Sequence, residues 1–277
     1  MKRRKFLQQS GLAVAGGAGV LAPRRVWADA AAERDSASSD APPRRVLVTA
    51  AETPLAQMLA DSLPAAWQVH LTAATAVSVS HPFRQCSLEA DGATRDLVRG
   101  SDAIVHLALA PADASAGEQI DMLVRRTYNL LTAAAAEGVR RVVHVASLAA
   151  MQAYDEAEMV TEDWQPRPED NATALAEYLA ECTSREFARQ RSFEVVALRI
   201  GKLVRAESVS GQPFDPLWVD QRDAAQAVTL ALQADRLIAP RGTDGWMVLH
   251  VLSGSPRARF SIAKARQVLG YQPQHHW

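Results

Sequence analysis

Lysine is nearly missing from this chain: beyond the first five residues only Lys202 and Lys264 occur. Few ammonium groups are therefore on hand to hold a phosphate or to serve, with a shifted pKa, in catalysis. Cysteine is equally thin. Cys86 and Cys182 allow one disulfide at most, have no metal-ligand spacing, and read as small buried apolar side chains. Among seven histidines, His106 and His144 lie inside apolar runs and read as core groups. His275 and His276 stand together without a third ligand, so no metal site is expected. After residue 30 no run is long and apolar enough to span a bilayer. Clusters of positive charge are confined to the beginning. Setting aside residues 1–28, with their six basic side chains, leaves 24 basic against 31 acidic residues, a net charge of −7. Such a body has no electrostatic footprint for nucleic acid.

Residues 1–28 read as a leader. Arg3-Arg4-Lys5-Phe6-Leu7 resembles the core of a twin-arginine export signal. A mild Gly/Ala-rich stretch from Gly11 to Ala22 follows, then small-residue cleavage sites after Ala28 or Ala30. The expected location is the periplasm, with no stable membrane insertion once the leader is removed. Residues 29–43, small, polar and ending in Pro42-Pro43, read as a flexible spacer.

From Arg44 onward the pattern alternates. Strand-like runs occupy 45–49, 67–72, 103–108, 141–146, 194–199 and 246–252. Helical periodicity covers 54–63, 117–137, 172–190, 221–234 and 260–269. Alternation of this kind predicts an α/β fold, a Rossmann-like, doubly wound, mostly parallel sheet. Near-continuous apolar strands such as Val142-Val143-His144-Val145-Ala146 predict burial on both faces. The expected division is a main domain over 44–204 and a small C-terminal lobe over 205–277.

The most informative segment is Thr49-Ala50-Ala51-Glu52-Thr53-Pro54-Leu55-Ala56, between the first strand and first helix. A strand, turn and helix in this order is where a dinucleotide-binding domain places glycines for close approach of a pyrophosphate. The three glycine positions hold Ala50, Thr53 and Ala56. Ala50 is tolerable there if its φ stays negative. Thr53 is β-branched, Glu52 brings a carboxylate to an anion's place, and Pro54 removes an N–H. The same residues also spell an ordinary helix start, with Thr53 as N-cap and Pro54 in the first turn.

Several segments together resemble the extended short-chain dehydrogenase/reductase family, in its NAD-dependent epimerase/dehydratase branch. They are Gly100-Ser101-Asp102-Ala103-Ile104-Val105-His106-Leu107-Ala108, Thr127-Tyr128-Asn129-Leu130-Leu131, Gly138-Val139-Arg140-Arg141-Val142-Val143-His144-Val145-Ala146-Ser147, Leu198-Arg199-Ile200-Gly201 and Val268-Leu269-Gly270-Tyr271-Gln272-Pro273. The resemblance runs from about Arg44 to Pro273. It implies a Rossmann fold, NAD or NADP as cofactor, a sugar-like substrate and a homodimer formed through the long helices.

Carried over residue by residue, it places cofactor contacts at Ala50, Thr53, Leu55, Ser87 and Ala108. The family's Ser and its Tyr-x-x-x-Lys pair fall on Ser147, Thr173 and Glu177 when counted without gaps from Leu198-Arg199. A rival register uses Tyr178 and puts Cys182 at the lysine. Neither register keeps the lysine whose ammonium lowers the tyrosine pKa. The second strand ends without the acid that holds a ribose. Lys202 reads as a solvated surface charge, and Arg222, Asp223, Arg257 and Arg259 as structural ion pairs or anion contacts. The expectation is an exported family member, catalytically degenerate and acting by binding; the alternative is an active NAD(P)-dependent oxidoreductase or epimerase with an atypical site.

Overall fold

The computed structural model describes residues 44–109, 114–190, 192–234 and 245–277. The predicted leader and spacer lie outside the described residues.

Alternate side chains of the buried strands face opposite ways, and each face finds its own helices. Strands β1 (Arg44–Val48), β2 (Trp67–Ala73), β3 (Phe83–Gln85), β4 (Ala103–Leu107), β5 (Arg141–Ser147), β6 (Glu194–Ile200) and β9 (Trp246–Val251) form one sheet in the order β3-β2-β1-β4-β5-β6-β9. Every neighbouring pair is parallel. Val46, Val48, Val143, Val196 and Leu249 pack on one face against α1 (Pro54–Ser62), α6 (Gln221–Gln233) and α7 (Ala263–Leu269). Leu47, Ile104, Val142 and Val195 point to the other face, against α2 (Gly92–Val98), α4 (Arg126–Ala136) and α5 (Ala172–Arg189). Two covered faces explain why these strands read as unbroken apolar runs.

The long helix predicted over 117–137 is broken into α3 (Ala116–Ile120), a π-helical turn at Asp121–Arg125, and α4. Sequence periodicity missed β3, α2 and two further strands, β7 (Lys202–Val204) and β8 (Trp218–Asp220), which form a separate parallel pair. Pro42–Trp277 is one compact unit. The stretch 205–277 contributes α6 and the edge strand β9 to the main layers, as well as β8 to the small pair.

Two local devices hold the upper and lower ends. A methyl group on Gly201 would collide with the Leu217 carbonyl and the Leu252 side chain, so only glycine lets β6 turn into β7 here. At the other end, the Arg141 guanidinium donates to the Ala231 and Leu232 carbonyls (both 3.3 Å) and to that of Ala234. It thereby satisfies carbonyls that the end of α6 leaves without partners, while pairing with Glu194 at 2.6 Å.

Chain order reverses between β1 and β4, since β2 and β3 run outward on one side and β4 returns to the other. In sheets of this type ligands bind outside the carboxyl ends of the strands at that point. The loop 49–53 sits there.

Candidate functional site

The loop is organised by its own side chains. Thr53 Oγ1 donates to the Ala50 carbonyl (2.8 Å) and accepts from the Ala56 N–H (3.3 Å), the N-cap read from sequence, with Pro54 opening the helix. The Thr53 N–H returns to the Ala50 carbonyl at 2.9 Å, and the Ala51 N–H to the Thr72 carbonyl at 3.0 Å. The condition on which Ala50 would be tolerable, a negative φ, is not met: φ is +56°. The tight turn needs a left-handed residue after Thr49, and alanine occupies that conformation against its preference, at about 1–2 kcal/mol.

A cavity of about 90 Å³ lies over this switch point, lined by Thr49, Ala50, Glu52, Ser87, Leu88 and His106 among others. Of the five predicted cofactor contacts, Ala50 and Ser87 line it. Leu55 and Ala108 are buried in the core, and Thr53 is turned into its cap. Leu88, with φ +57°, is the second non-glycine residue of positive φ among the described residues.

Behind the cavity runs a closed hydrogen-bond chain that the sequence did not reveal. The Thr127 hydroxyl donates to the Leu123 carbonyl, leaving its oxygen to accept from His106 Nε2–H at 2.8 Å. His106 Nδ1 then accepts from Thr49 Oγ1 (3.0 Å), whose oxygen accepts from the Leu107 N–H (3.0 Å). Every donor in it is matched with the imidazole neutral. His144 pairs with Ser184 Oγ at 3.0 Å and stacks obliquely on His106, ring centres 5.7 Å apart. Burial pushes both imidazoles down to about 3, and His144 adds to the effect at His106.

Ser147 and Thr173, two of the three predicted catalytic positions, bond to different partners. Ser147, half-buried at the end of β5, accepts from the Ala149 N–H (3.0 Å) and caps the 3-10 turn Leu148–Met151. Thr173, in the first turn of α5, donates to Gln119 Oε1 on α3 at 2.8 Å. Glu177 is buried one turn on. Further along, Glu181 makes a two-pronged ion pair with Arg199 of β6 (2.8 and 2.6 Å), both side chains almost wholly buried.

Tyr178, the alternative tyrosine, has its phenol pushed up by burial and then by the Cys182 thiol. A tyrosinate base needs the opposite shift. Cys182 is half-buried beside it, where a fully buried apolar role had been expected, while Cys86 is buried; both thiols are free. The Lys202 side chain is 65% exposed and faces Asp215 at 3.7 Å, as a surface charge would.

In the lobe, Arg222 is tied to Asp220 and Glu207, both at 2.8 Å. Asp223 is buried and accepts from Ser253 Oγ, the Gln274 N–H (2.8 Å) and the His275 N–H (3.2 Å). Arg222 and Asp223 thus act structurally here. Arg259 donates to the Gln152 carbonyl (3.2 Å) and to that of Tyr154. Among the described residues no group of three His, Cys, Asp or Glu side chains is arranged to hold a metal ion.

Residues 48–215 match the sequence profile described as the NAD dependent epimerase/dehydratase family. Two proteins of Haloferax volcanii are similar. An L-arabinose 1-dehydrogenase (NAD(P)(+)) is 23% identical over 66% of this chain and 78% of its own. An NAD-dependent glucose-6-phosphate dehydrogenase is 26% identical over 66% of this chain and 71% of its own. Among solved structures, a uronate dehydrogenase from Agrobacterium tumefaciens, a Y136A mutant complexed with NAD, superposes with a TM-score of 0.71 at 23% identity. The match covers 84% of this chain and 85% of that one. A glucuronic acid dehydrogenase from Chromohalobacter salexigens gives the same TM-score at 22% identity and the same coverage. Likeness at that level establishes the fold.

Proposed function

Since this chain belongs to the NAD-dependent epimerase/dehydratase family, we propose that it is a catalytically degenerate member that acts by binding a sugar-like ligand or a partner. The observation carrying the reading is where the donors of the first loop go. A pyrophosphate at this place is held by N–H groups at the helix start. Here the Thr53 N–H is bonded within the turn, Pro54 has none, and the Ala56 N–H is held by the Thr53 side chain.

The rest agrees. A cavity of about 90 Å³ is well below the ~300–1,000 Å³ of small-molecule sites. Glu52 borders it, repelling an anion. Counted without gaps, Thr173 and Glu177 stand at the tyrosine and lysine positions, and the rival register through Tyr178 puts Cys182 at the lysine, so neither supplies an ammonium beside a phenol. These residues do not fit NAD or NADP. Isothermal titration with NAD⁺ and with NADP⁺ tests the proposal. No heat of binding is expected, and micromolar affinity for either would overturn it.

A second reading, an active NAD(P)-dependent oxidoreductase on a sugar-like substrate, draws on two observations. The curated relatives are dehydrogenases by name, and the left-handed backbone at Ala50 and Leu88 beside the cavity is the sort of strain that gathers at ligand sites. A nicotinamide absorbance band in protein purified from its native compartment would decide for it. Export as a folded protein to the periplasm accompanies either reading, and the twin-arginine pattern at Arg3-Arg4 supports it. Dimerisation through the outward faces of α4 and α5 is supported by Tyr128 (56% exposed) and Leu175 (43% exposed). Sedimentation at rising concentration tests that part.

A further inference from the structure

The small lobe contains a cavity that neither reading uses. It measures about 360 Å³ and is lined by Phe214, Trp218, Trp277, Val209 and Arg257, with Ser210 and Gln212 on its rim. Its size falls within the ~300–1,000 Å³ range of small-molecule sites, unlike the cavity at the first loop.

The walls are aromatic and fixed. Trp218, buried at the start of β8, meets Trp277 edge-on with ring centres 5.5 Å apart, and Phe214 at 6.2 Å. Trp277 is held by its backbone: its N–H donates to the Gly254 carbonyl (3.0 Å), and the Gly254 N–H donates to the His275 carbonyl (2.8 Å). The buried Asp223 secures the preceding residues through the Gln274 and His275 N–H groups. Behind the rings, Val204 and Val209 close the cluster. Arg257 is exposed, and its guanidinium lies 5.6 Å from the centre of the Phe214 ring. A cation–π contact holds it at the lip of the cavity without neutralising it.

The chemistry of this lining selects its occupant. Apart from the indole N–H groups of Trp218 and Trp277, only Ser210, Gln212 and Arg257 among the lining residues carry polar side chains. A pyranose has hydroxyls on most of its carbons, and any of them turned toward the Val209, Phe214 and Trp218 walls would lack a partner, at about 1–3 kcal/mol each. A flat apolar ring meets the indole and phenyl walls without that cost. One anionic group on it would reach the Arg257 fork, which suits a planar carboxylate. We propose that this cavity is a binding site for an aromatic monocarboxylate, with Trp218, Trp277 and Phe214 enclosing the ring and Arg257 taking the carboxylate.

Calorimetric titration of the whole chain with three probes tests the proposal: 2-naphthoate, its neutral analogue 2-naphthamide, and glucuronate. The expected result is one saturable site for 2-naphthoate, an affinity for 2-naphthamide weaker by about tenfold, and no heat with glucuronate. Arg257→Gln is expected to remove the preference for the carboxylate while leaving the thermal midpoint unchanged, because the side chain is exposed. Trp277→Ala is expected to abolish binding, and Trp277→Phe to keep it. Equal affinity for naphthoate and naphthamide, a preference for glucuronate, or an Arg257→Gln variant that still discriminates would each overturn it. None of these outcomes depends on the NAD⁺ titration, so the two proposals fail separately.

Discussion

Ala50 concentrates the tension between residue type and backbone conformation. Its φ of +56° is a conformation that suits glycine better than alanine. Replacing it with glycine relieves about 1–2 kcal/mol of left-handed strain and adds back about 0.5–1 kcal/mol of backbone entropy lost on folding. Ala50→Gly is therefore expected to stabilise the protein by about 0.5–1 kcal/mol, read as a raised urea midpoint. It is expected not to create dinucleotide binding, because the Thr53 and Ala56 N–H groups stay bonded within the loop and Pro54 has none. The buried pair behaves oppositely. Glu181→Gln leaves Arg199 charged and short of its partner in the core, with an expected loss of about 3–5 kcal/mol. A double variant, Glu181→Leu with Arg199→Met, is expected to recover most of that loss, and denaturant titration of the three proteins checks it. The N-cap role of Thr53 was legible because threonine before proline at a helix start has few other uses. The left-handed Ala50 was not legible, since alanine carries no signal for positive φ. Nor was the contact from Thr173 to Gln119, whose partner lies 54 residues away in sequence.

Among elements, what the sequence made readable depended on length. The strands over 141–147 and 194–200 and the helix over 172–189 each contain enough residues to display their period, and their predicted spans differ by only a residue or so. The three-residue strands β3, β7 and β8 show no period at all. β3 is held by pairing to β2, and β7 and β8 by pairing to each other. The π-helical turn at Asp121–Arg125 was hidden for a different reason: its extra residue shifts a helical pattern without abolishing it. The turn from β6 into β7 gives the sharpest test at this scale. A Cβ on Gly201 would meet backbone, the Leu217 carbonyl, as well as the Leu252 side chain. Backbone cannot swing aside as a flexible side chain would. Gly201→Ala is expected to destabilise the protein by about 3 kcal/mol. It is also expected to loosen the β7–β8 pair first, seen as early hydrogen exchange of the amides in 202–204 and 218–220. Uniform loss of protection across the large sheet would contradict that assignment.

At the scale of the whole molecule, the buried histidines set the response to acid. His106, His144 and His250 each ordinarily titrate at 6.5 and are brought down to about 3 by burial, with Arg199 and Lys264 adding to the effect at His250. In the unfolded chain all three bind a proton as pH falls below 6.5, while the folded protein refuses it until about 3. Their contribution is therefore fully present above 6.5 and is lost steadily as pH falls through that window. The slope approaches about 1.4 kcal/mol per pH unit for each histidine, or roughly 2 kcal/mol each by pH 5. Asp220 adds to the loss lower down. Burial raises its carboxyl, but hydrogen bonds from Arg222 and Ala206 outweigh this and hold it at about 2, against 3.8. Glu162 opposes them: burial raises its carboxyl, so its contribution falls as pH rises through the raised value. One carboxyl does not offset three imidazoles. Urea midpoints are expected to fall markedly from pH 7.5 to pH 5. His144→Gln, which keeps a neutral polar group beside Ser184, is expected to flatten that dependence by about a third. A midpoint constant between pH 7.5 and 5 would mean that the histidines take up protons in the folded state. The closed chain Thr49-His106-Thr127 beneath the first loop, whose donors are matched only with a neutral ring, would then have to open below pH 6.5.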